Sequence, residues 1–578
     1  MASQVMGNTG NSKIVICGLD SATWDLVGPW AAKGLLPNLS ALISKGVAGD
    51  LESAIPPLTP PAWTSFMTGQ NPGKHGIFYF LEPQPGSYAM RYANAGSRRS
   101  RTFFGLLSEA GFTVGTVNIP FTYPPEPLNG FQISGMDTPS EKSAFIHPPE
   151  LRAELERVVG KIRFDITHLG FMSTDDRRQQ VLAEMAVVDE QWAKAGMYLL
   201  EKHPADLMMF TFMSIDTVQH HFWQYMDARH FLYDEKGAQR FGDAILQVYQ
   251  RLDGILGRFL ERLPEDTTIM VVSDHGGGPV SDRVIYLNRF LAQLGLLKYR
   301  TQNKSGFDRA KQQVIRALYK RLHGALGPAQ KKFLAGLLPG VRERFEGAYT
   351  SFANIDWTAT KAYCSEILAS PPSIWINKKG EKPAGLVSEE EYEPLLELIT
   401  QKLGELKDPR TNQPVVGRVY RRSELFHGPF AKEAPDLILD WWSENAFSIK
   451  PSFPEDGGQP VLQIRPRSSA KEPEWGGTHR KNGILVMKGG PFKQGARIAG
   501  ARLMDVAPTI LYLMGQKIPE DMDGRVLVEA FEPTFAQEHA AQYGKSSGNG
   551  TGDAESSSYS TDEAAQIEAR LKALGYID

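Results

Sequence analysis

Three short apolar runs, each leading into acidic or histidine residues, constrain the fold of this 578-residue chain more than any other feature. The runs lie at residues 13–20, 206–213 and 267–272, and each has the length and composition of a buried strand. Helical patterns at residues 175–202 and 243–262 precede the second and third runs. This alternation predicts an α/β fold with a mainly parallel central sheet flanked by helices, and with helical cap insertions.

The composition excludes several classes of protein. Hydrophobic residues make up 42% and charged residues 22% of the chain, as in ordinary globular proteins. A formal net charge of −3 provides no basic field for a nucleic-acid polymer. Two cysteines, Cys17 and Cys364, exclude a disulfide framework. We find neither a signal peptide nor an apolar stretch that would span a membrane, and we therefore expect a cytoplasmic protein.

Residues 301–350 are the most basic segment, with ten lysines and arginines against three acidic residues in a helical, amphipathic pattern. A solvated basic helix pair explains the pattern. The alternative is a face that attracts an anionic substrate or a membrane surface, so peripheral membrane contact stays open. The predicted organisation is a core at residues 13–300 and 352–530, a basic helical cap at 301–351, a disordered linker at 535–560 and a short helix at 561–578.

The residues that follow the apolar runs include candidate metal ligands. Asp216 and His220 are four residues apart, which on a helix puts both side chains on one face. Asp274 and His275 precede three glycines that permit a sharp turn, so that both side chains can reach one cation. Asp20 ends the first run. A surface or capping role explains each of them as well, but ligands of such sheets bind beyond the strand ends, so we expect convergence at one edge.

His479 and Thr59 come from irregular segments. His479 lies between glycines and a predicted strand at residues 484–487, where a histidine is commonly only a polar surface residue. Thr59 lies in a proline-rich loop before a predicted helix at residues 62–68. It is either a helix cap or a nucleophile at a helix N-terminus, where backbone N–H groups favour a phosphate. A threonine hydroxyl needs a metal or a base before it can attack.

Together these residues fit one chemistry. Three aspartates, three histidines and a threonine supply two metal sites, one from Asp216, His220 and His479 and the other from Asp20, Asp274, His275 and Thr59. Mixed imidazole and carboxylate ligands favour two Zn²⁺ ions, with Mn²⁺ as the alternative. Two such ions about 4 Å apart stabilise the attacking and leaving oxygens of an in-line phosphoryl displacement.

In this order along the chain, the residues resemble the alkaline phosphatase superfamily, and within it the type I phosphodiesterase/nucleotide pyrophosphatase family. The resemblance covers roughly residues 13–530 and includes Thr68-Gly69-Gln70-Asn71-Pro72-Gly73-Lys74-His75-Gly76-Ile77. It implies that Thr59 is both the nucleophile and a ligand of the second metal. It also implies a metal-dependent hydrolase that cleaves phosphodiester or pyrophosphate bonds of a small-molecule phosphate ester. Two in-line displacements through a phospho-threonyl intermediate would give net retention at phosphorus.

The chain departs from the family pattern where phosphate is bound. The nucleotide pyrophosphatases carry an asparagine shortly after the His-Gly-Ile stretch, where this chain has Phe78-Tyr79-Phe80. The position three after the nucleophile, often asparagine there, is Ala62. We predict that Asn118 or Lys74 replaces the missing donor.

The departure keeps other functions open. A phosphomonoesterase, a phosphonate hydrolase or a headgroup phosphotransferase of the same superfamily is the first alternative, and the basic segment favours the last of these. A sulfatase is disfavoured, because Thr59-Pro60-Pro61 lacks the Cys/Ser-x-Pro-x-Arg motif. A catalytically silent scaffold with this fold is the second alternative. The sequence leaves the oligomeric state open.

Overall fold

The computed structural model describes most of the chain between residues 13 and 574. The described residues are 13–84, 86–164, 166, 172, 174–300, 351–366, 371–443, 447–454, 458–467, 475–545 and 559–574. The basic cap predicted at residues 301–351 therefore lies, apart from its last residue, outside the described residues.

Strands and helices alternate over the first half of the chain. The strands are β1 (Ile14–Leu19), β2 (Val47–Glu52), β3 (Leu81–Pro83), β4 (Met90–Tyr92), β5 (Val114–Ile119), β6 (Gly130–Ser134), β7 (Ile146–His147), β8 (Leu207–Phe212), β9 (Thr268–Val272), β10 (Gly276–Pro279), β11 (Arg283–Ile285), β12 (Ala362–Tyr363), β13 (Ser373–Ile376), β14 (Val419–Arg421), β15 (Leu437–Leu439), β16 (Ser448–Ile449), β17 (Leu462–Ile464), β18 (Gly477–Arg480), β19 (Asn482–Lys488), β20 (Ala496–Arg502), β21 (Ile518–Pro519) and β22 (Tyr543–Gly544). The α-helices are α1 (Trp24–Ala32), α2 (Pro37–Lys45), α3 (Thr59–Thr68), α4 (Pro72–His75), α5 (Phe103–Glu109), α6 (Leu151–Val159), α7 (Asp175–Lys202), α8 (Ser214–Met226), α9 (Glu235–Phe241), α10 (Ala244–Leu260), α11 (Leu287–Gln293), α12 (Glu389–Gly404), α13 (Arg422–Leu425), α14 (Val506–Leu513), α15 (Pro533–Glu538) and α16 (Thr561–Leu574).

Within the described residues, nine strands form one central sheet in the order β20-β2-β19-β9-β1-β8-β5-β6-β7. The five strands from β9 to β6 are parallel to one another. Strand β19 runs antiparallel to both of its neighbours. The predicted α/β fold with a mainly parallel sheet is therefore confirmed. The three apolar runs of the sequence are the adjacent strands β8, β1 and β9, so their carboxyl ends meet at one edge.

Two apolar cores lie on opposite faces of this sheet. Alternate residues of β1 enter different cores: Val15 and Cys17 contribute to one, and Ile14 and Ile16 to the other. All six residues of β1 are buried, which is why the run reads as continuously apolar in the sequence. Helices α7 and α10 supply side chains to the first core, and α3 and α14 to the second.

A second lobe packs around its own apolar core, built mainly from residues 285–297 and 355–449. Its strands β12, β13, β15 and β14 form a four-stranded antiparallel sheet. After β9 the chain next enters the central sheet with β19 and β20, and the apolar side chains of residues 362–449 are buried against one another in the second lobe.

The predicted linker at residues 535–560 is partly ordered. Helix α15 occupies its start, and β22 pairs with β21. The Tyr512 hydroxyl donates to His539 O, which ties this stretch to the second core. Residues 546–558 lie outside the described residues, and α16 falls in the segment where we predicted a short helix.

The composition also led to expectations about the two cysteines and about membrane-spanning helices. Cys17 and Cys364 are both buried and both free. Among the described residues, no helix has the length and apolarity needed to cross a membrane.

We predict that Asp253 on α10 stabilises the fold by capping α2. Its Oδ1 accepts from Leu39 N (2.7 Å) and its Oδ2 from Asn38 N (3.2 Å). Asp253→Ala leaves these N–H groups unpaired, so its free energy of unfolding should fall by about 1–3 kcal/mol. Asp243→Ala is the matched control, because Asp243 precedes the same helix but its side chain caps no amide. Equal denaturant midpoints for the two variants would contradict the prediction.

Candidate active site

The ends of three neighbouring strands bring four of the predicted ligands together. Asp20 follows β1 directly, and Asp274 and His275 follow β9 after one serine. Asp216 lies in the first turn of α8, which starts two residues after β8. The i, i+4 spacing on α8 then puts His220 on the same face as Asp216, with 3.2 Å between Asp216 Oδ1 and His220 Nε2.

His479 reaches this edge on a two-stranded ribbon. Strand β18 pairs antiparallel with β10, and the register places His479 opposite Gly277. Glycines suit this ribbon because a Cβ on Gly277 would lie 2.6 Å from Gln219 Oε1. The ribbon carries His479 across about 200 residues of intervening sequence to the edge where β9 ends.

Thr59 is the first residue of α3, not part of a loop before a helix that begins at Ala62. Proline is tolerated in a first helical turn, so Pro60 and Pro61 extend the helix rather than prevent it. The Thr59 side chain is fully buried, and its Oγ1 lies 3.4 Å from His275 Nε2. The same prolines lack N–H groups, so this helix N-terminus offers fewer phosphate donors than we expected from the sequence.

One half of the site consists of Asp216, His220 and His479. The two Nε2 atoms of His220 and His479 lie 2.9 Å apart, and Asp216 Oδ1 is 3.2 Å from each of them. All three residues are at most 3% exposed. Two imidazole nitrogens and a carboxylate oxygen at these separations suit a divalent cation that accepts mixed nitrogen and oxygen ligands.

The other half consists of Asp20, Asp274, His275 and Thr59. His275 Nε2 lies 3.2 Å from Asp274 Oδ2 and 3.8 Å from Asp20 Oδ1. Its ring stacks on that of His479, with 3.8 Å between centroids, so the two halves share one pocket. His275 accordingly belongs to two groups whose ligand atoms are mutually close, one with Asp216 and His479 and one with Asp20 and Asp274.

In each of the three histidines of the site, the ring nitrogen that points away from the pocket lies against a backbone carbonyl. The Nδ1 atoms of His220, His275 and His479 lie 2.9, 3.2 and 2.9 Å from Gly477 O, Gly276 O and Pro57 O. A carbonyl only accepts hydrogen bonds, so Nδ1 must carry the proton in each ring. Nε2 is then the nitrogen that faces the pocket and is left to bind a cation, as a metal-binding histidine requires.

The carboxylates of the second half each keep one oxygen without a hydrogen-bond donor. Asp20 Oδ2 accepts from Trp63 Nε1 at 2.9 Å, and Asp274 Oδ1 accepts from Ser21 N at 3.3 Å. Asp20 Oδ1 and Asp274 Oδ2 are buried and have no donor. Buried carboxylate oxygens are normally hydrogen-bonded or bound to a cation, so this donor set fits a metal ion.

Burial controls the protonation of the site. It raises the pKa of Asp20 and of Asp274 well above the usual value, and the neighbouring carboxylates add to the shift. Burial also acts against the charged form of Asp216, but the facing imidazoles outweigh it and hold that pKa well below its usual range. Burial lowers the pKa of His275 and of His479, which favours the neutral form that binds a cation.

Of the two predicted phosphate donors, only Asn118 lies at the strand ends. It is in β5, the neighbour of β8, has a φ of 60°, and donates from Nδ2 to Thr211 O (2.9 Å). Lys74 Nζ donates instead to Asp521 O and to Asp523 Oδ1 (2.8 and 2.6 Å). Its ammonium thus pairs with an acidic loop, and its described contacts include none of the seven clustered side chains.

Sequence reasoning missed the residues that orient the ligands. Trp63 holds Asp20, and Gln219 Nε2 donates to Ser21 O beside Asp274. The ring of Trp475 lies over His220, with 4.0 Å between centroids. One signal was available for Trp63 and Gln219. Each lies within four residues of a predicted ligand on the same helix, and therefore near the same pocket.

We predict that Asp20→Asn stabilises the protein when metal is removed. A carboxyl whose pKa is raised on folding favours the folded state at low pH, and that contribution is lost as the pH rises through the folded-state pKa. In excess chelator at pH 8, the neutral variant should exceed the wild type in free energy of unfolding by about 1–3 kcal/mol. At pH 4 the difference should shrink. Asp50→Asn on the exposed side of β2 is the control, and an unchanged midpoint for Asp20→Asn at pH 8 would refute the prediction.

We further predict that Trp63→Phe weakens zinc binding. The variant removes the N–H that orients Asp20, and loss of such a supporting hydrogen bond typically lowers metal affinity about 10- to 100-fold. Trp24→Phe is the matched control, because Trp24 Nε1 donates to Gly49 O (2.8 Å), a backbone group of β2. Competition with a chromogenic chelator measures both affinities, and equal values would count against the assignment.

Comparisons with known proteins add to this geometry. Two curated relatives are 2,3-bisphosphoglycerate-independent phosphoglycerate mutases. The protein from Cereibacter sphaeroides is 46% identical over 63 residues, 10% of this chain, and that from Dinoroseobacter shibae is 44% identical over 61 residues. The chain spans only 12% of the length of either mutase.

Two groups of proteins are represented among the similar solved structures. Phosphonoacetate hydrolase from Sinorhizobium meliloti, solved with phosphonoacetate, is 16% identical over 86% of this chain and 94% of its own, with a TM-score of 0.46. Human ectonucleotide pyrophosphatase/phosphodiesterase 5 is 12% identical over 91% of this chain and 99% of its own, with a TM-score of 0.45.

The family model for type I phosphodiesterase/nucleotide pyrophosphatase matches residues 14–452, which is most of the chain. The match starts with β1, and it includes the segments that carry Asp20, Thr59, Asp216 and Asp274. The chain belongs to the type I phosphodiesterase/nucleotide pyrophosphatase family.

Proposed function

We propose that the protein is a metal-dependent phosphoryl-transfer hydrolase that cleaves phosphodiester or pyrophosphate bonds with Thr59 as its nucleophile. One observation carries the proposal. A fully buried threonine hydroxyl lies 3.4 Å from His275 Nε2, in the same pocket as two carboxylate oxygens that have no hydrogen-bond donor. A purely structural threonine has no need of such neighbours, whereas a nucleophile that must be activated does.

The ligand sets follow from the two halves of the pocket. Asp216, His220 and His479 would hold one ion, and Asp20, Asp274, His275 and Thr59 the other, with zinc favoured over manganese by the three imidazoles. When bound, the two ions supply the positive charge that activates the threonine hydroxyl and stabilises the attacking and leaving oxygens. The orphan oxygens of Asp20 and Asp274 and the three inward Nε2 atoms support this assignment.

The residues of the chain determine the course of the reaction. Thr59 Oγ forms a bond to phosphorus while the bond from phosphorus to the leaving oxygen breaks, and the threonine proton ends on the leaving oxygen. Water then attacks the phospho-threonyl group in line with the bond from phosphorus to Oγ, that bond breaks, and a proton of the water ends on Oγ. Each displacement inverts phosphorus, so the net outcome is retention. The position of Thr59 at the start of a helix that is buried along its whole length supports the proposal, because a nucleophile held in place needs less reorganisation to attack.

The non-bridging phosphate oxygens need a donor of their own. The first turn of α3 contributes little, because Pro60 and Pro61 have no N–H groups. We assign this role to Asn118, whose amide keeps a second N–H after the bond to Thr211 O and which lies on the strand next to β8. The described contacts of Lys74 give that residue no support.

We predict that Thr59→Ala lowers the zinc-dependent turnover of bis-p-nitrophenyl phosphate by roughly 10³- to 10⁶-fold, as loss of a covalent nucleophile typically does. Thr59→Ser keeps a hydroxyl and should retain part of the rate. Thr64→Ala, which truncates another buried threonine of α3, is the control for folding and packing. Full activity of Thr59→Ala would refute the proposal.

A substrate panel in the same assay separates the alternatives. The proposal expects a higher kcat/KM for bis-p-nitrophenyl phosphate than for p-nitrophenyl phosphate. A preference for the monoester, for phosphonoacetate or for transfer to an acceptor hydroxyl would select a phosphomonoesterase, a phosphonate hydrolase or a phosphotransferase. Wild-type protein that neither binds zinc nor turns over any of these compounds would be a silent scaffold.

A further inference from the structure

The C-terminal helix α16 returns to the first half of the chain and is held there by a buried arginine. Arg570 is 8% exposed, and its Nη1 donates to Met136 O at 2.8 Å and to Thr138 O. Its Nη2 donates to Pro139 O at 3.3 Å. Three carbonyls of one loop thus bind a single guanidinium, which gives the helix a defined docking position.

Apolar side chains of the same helix complete a small cluster, which we call the C-terminal cluster. Ile567 and Leu571 are 5% and 3% exposed, on the face of α16 that includes Arg570. The buried residues of the cluster are Ile77, Phe80, Leu81, Ala93, Phe121, Met136, Ile567 and Leu571. Six of these eight side chains belong to residues 77–136, so without α16 they would be left exposed on that side.

The residues before the helix make a second attachment. The Tyr559 hydroxyl donates to Asp137 O at 2.6 Å, and its ring lies parallel to that of Tyr123 with 6.1 Å between centroids. The Tyr123 hydroxyl in turn donates to Glu563 Oε1 at 3.2 Å. The segment is therefore attached at both ends, through Tyr559 at its start and through Arg570 near its end.

The C-terminal cluster also contacts the candidate metal site. Met213 and Trp475 pack against it. Met213 precedes α8, which carries Asp216 and His220, and the Trp475 ring lies over His220 with 4.0 Å between centroids. Trp475 also leads into β18, the strand of His479. A continuous set of packed side chains thus joins α16 to one half of the pocket.

The helix has little stability of its own. It is 14 residues long, and isolated helices of that length are marginal in water. It follows a stretch rich in serine and glycine at residues 541–560, of which 546–558 lie outside the described residues. Docking on the cluster, rather than helix propensity or sequence proximity, accounts for its position.

We propose that residues 559–574 form an intramolecular strap, which docks on the C-terminal cluster and positions Trp475 and the start of α8 around His220. The strap acts through Met213 and Trp475, so its residues are positioning residues and not catalytic ones. The inference rests on the proposed function for its effect on turnover, but not for its effect on zinc binding or on Trp475.

The test uses the full chain with a protease recognition sequence introduced within residues 546–558. After cleavage, Leu571→Asp should release the terminal peptide, because a charge cannot be buried in the cluster. Release should lower zinc affinity and the kcat/KM for bis-p-nitrophenyl phosphate by about 2- to 30-fold each, a common range for coupling between remote groups. Release should also change the fluorescence of Trp475, which is identified as the part of the tryptophan emission that is lost in a Trp475→Phe variant. A synthetic peptide of residues 559–578 should restore all three signals.

Gln566→Asp is the matched control, because Gln566 is on the exposed face of the same helix. Release of the peptide without a change in zinc affinity or Trp475 fluorescence would overturn the proposal. Failure of the Leu571→Asp chain to fold before cleavage would also overturn it, since α16 would then be part of the core. Exchange of the strap between two copies of the chain would overturn it as well. If uncleaved, zinc-loaded wild-type protein shows no turnover, the proposed function fails, whereas zinc affinity and fluorescence still decide the role of the strap.

Discussion

Repulsion between buried carboxylates governs how the candidate active site is built. Asp20, Asp216 and Asp274 lie where three adjacent strands end, and their side chains are almost completely removed from water. Burial raises the pKa of Asp20 and Asp274, and only Asp216 is stabilised as an anion by the imidazoles that face it. A cation between these groups would offset the cost of their desolvation, so metal binding and folding stability should be linked.

The backbone orients the ligands as much as the side chains do. Three carbonyls, from Pro57, Gly276 and Gly477, hold the Nδ1 atoms of the three histidines. The loop before α3, the turn after β9 and the β10–β18 ribbon therefore fix both the tautomer and the direction of each ring. Glycines are concentrated around His275 and His479 because side chains there would collide with neighbouring groups: a Cβ on Gly277 would meet Gln219, and a Cβ on Gly276 would meet Asn482 O of β19.

The parts of the chain outside the central sheet enclose the pocket from two sides. The second lobe brings Trp441 to within 6.2 Å of the His479 ring, measured between centroids. The C-terminal helix packs on the cluster that contacts Trp475. Neither arrangement has a local signature, because both depend on contacts between residues more than 30 positions apart. In the type I phosphodiesterase/nucleotide pyrophosphatase family, we expect such enclosing elements to set the choice of substrate.

The amino-acid sequence is enough to predict the fold class, the three buried strands and the identity of the seven clustered side chains. Their signals are local, because a continuous apolar run marks a strand buried on both faces, and Asp216 and His220 share a helix face by spacing alone. Other features are visible only in the folded chain: the start of α3 at Thr59, the pairing of Lys74 with Asp523, the separate lobe of residues 362–449 and the docking of Arg570. Each of these depends on which distant groups can satisfy a charge, a carbonyl or an apolar surface, and that choice is made only when the chain packs.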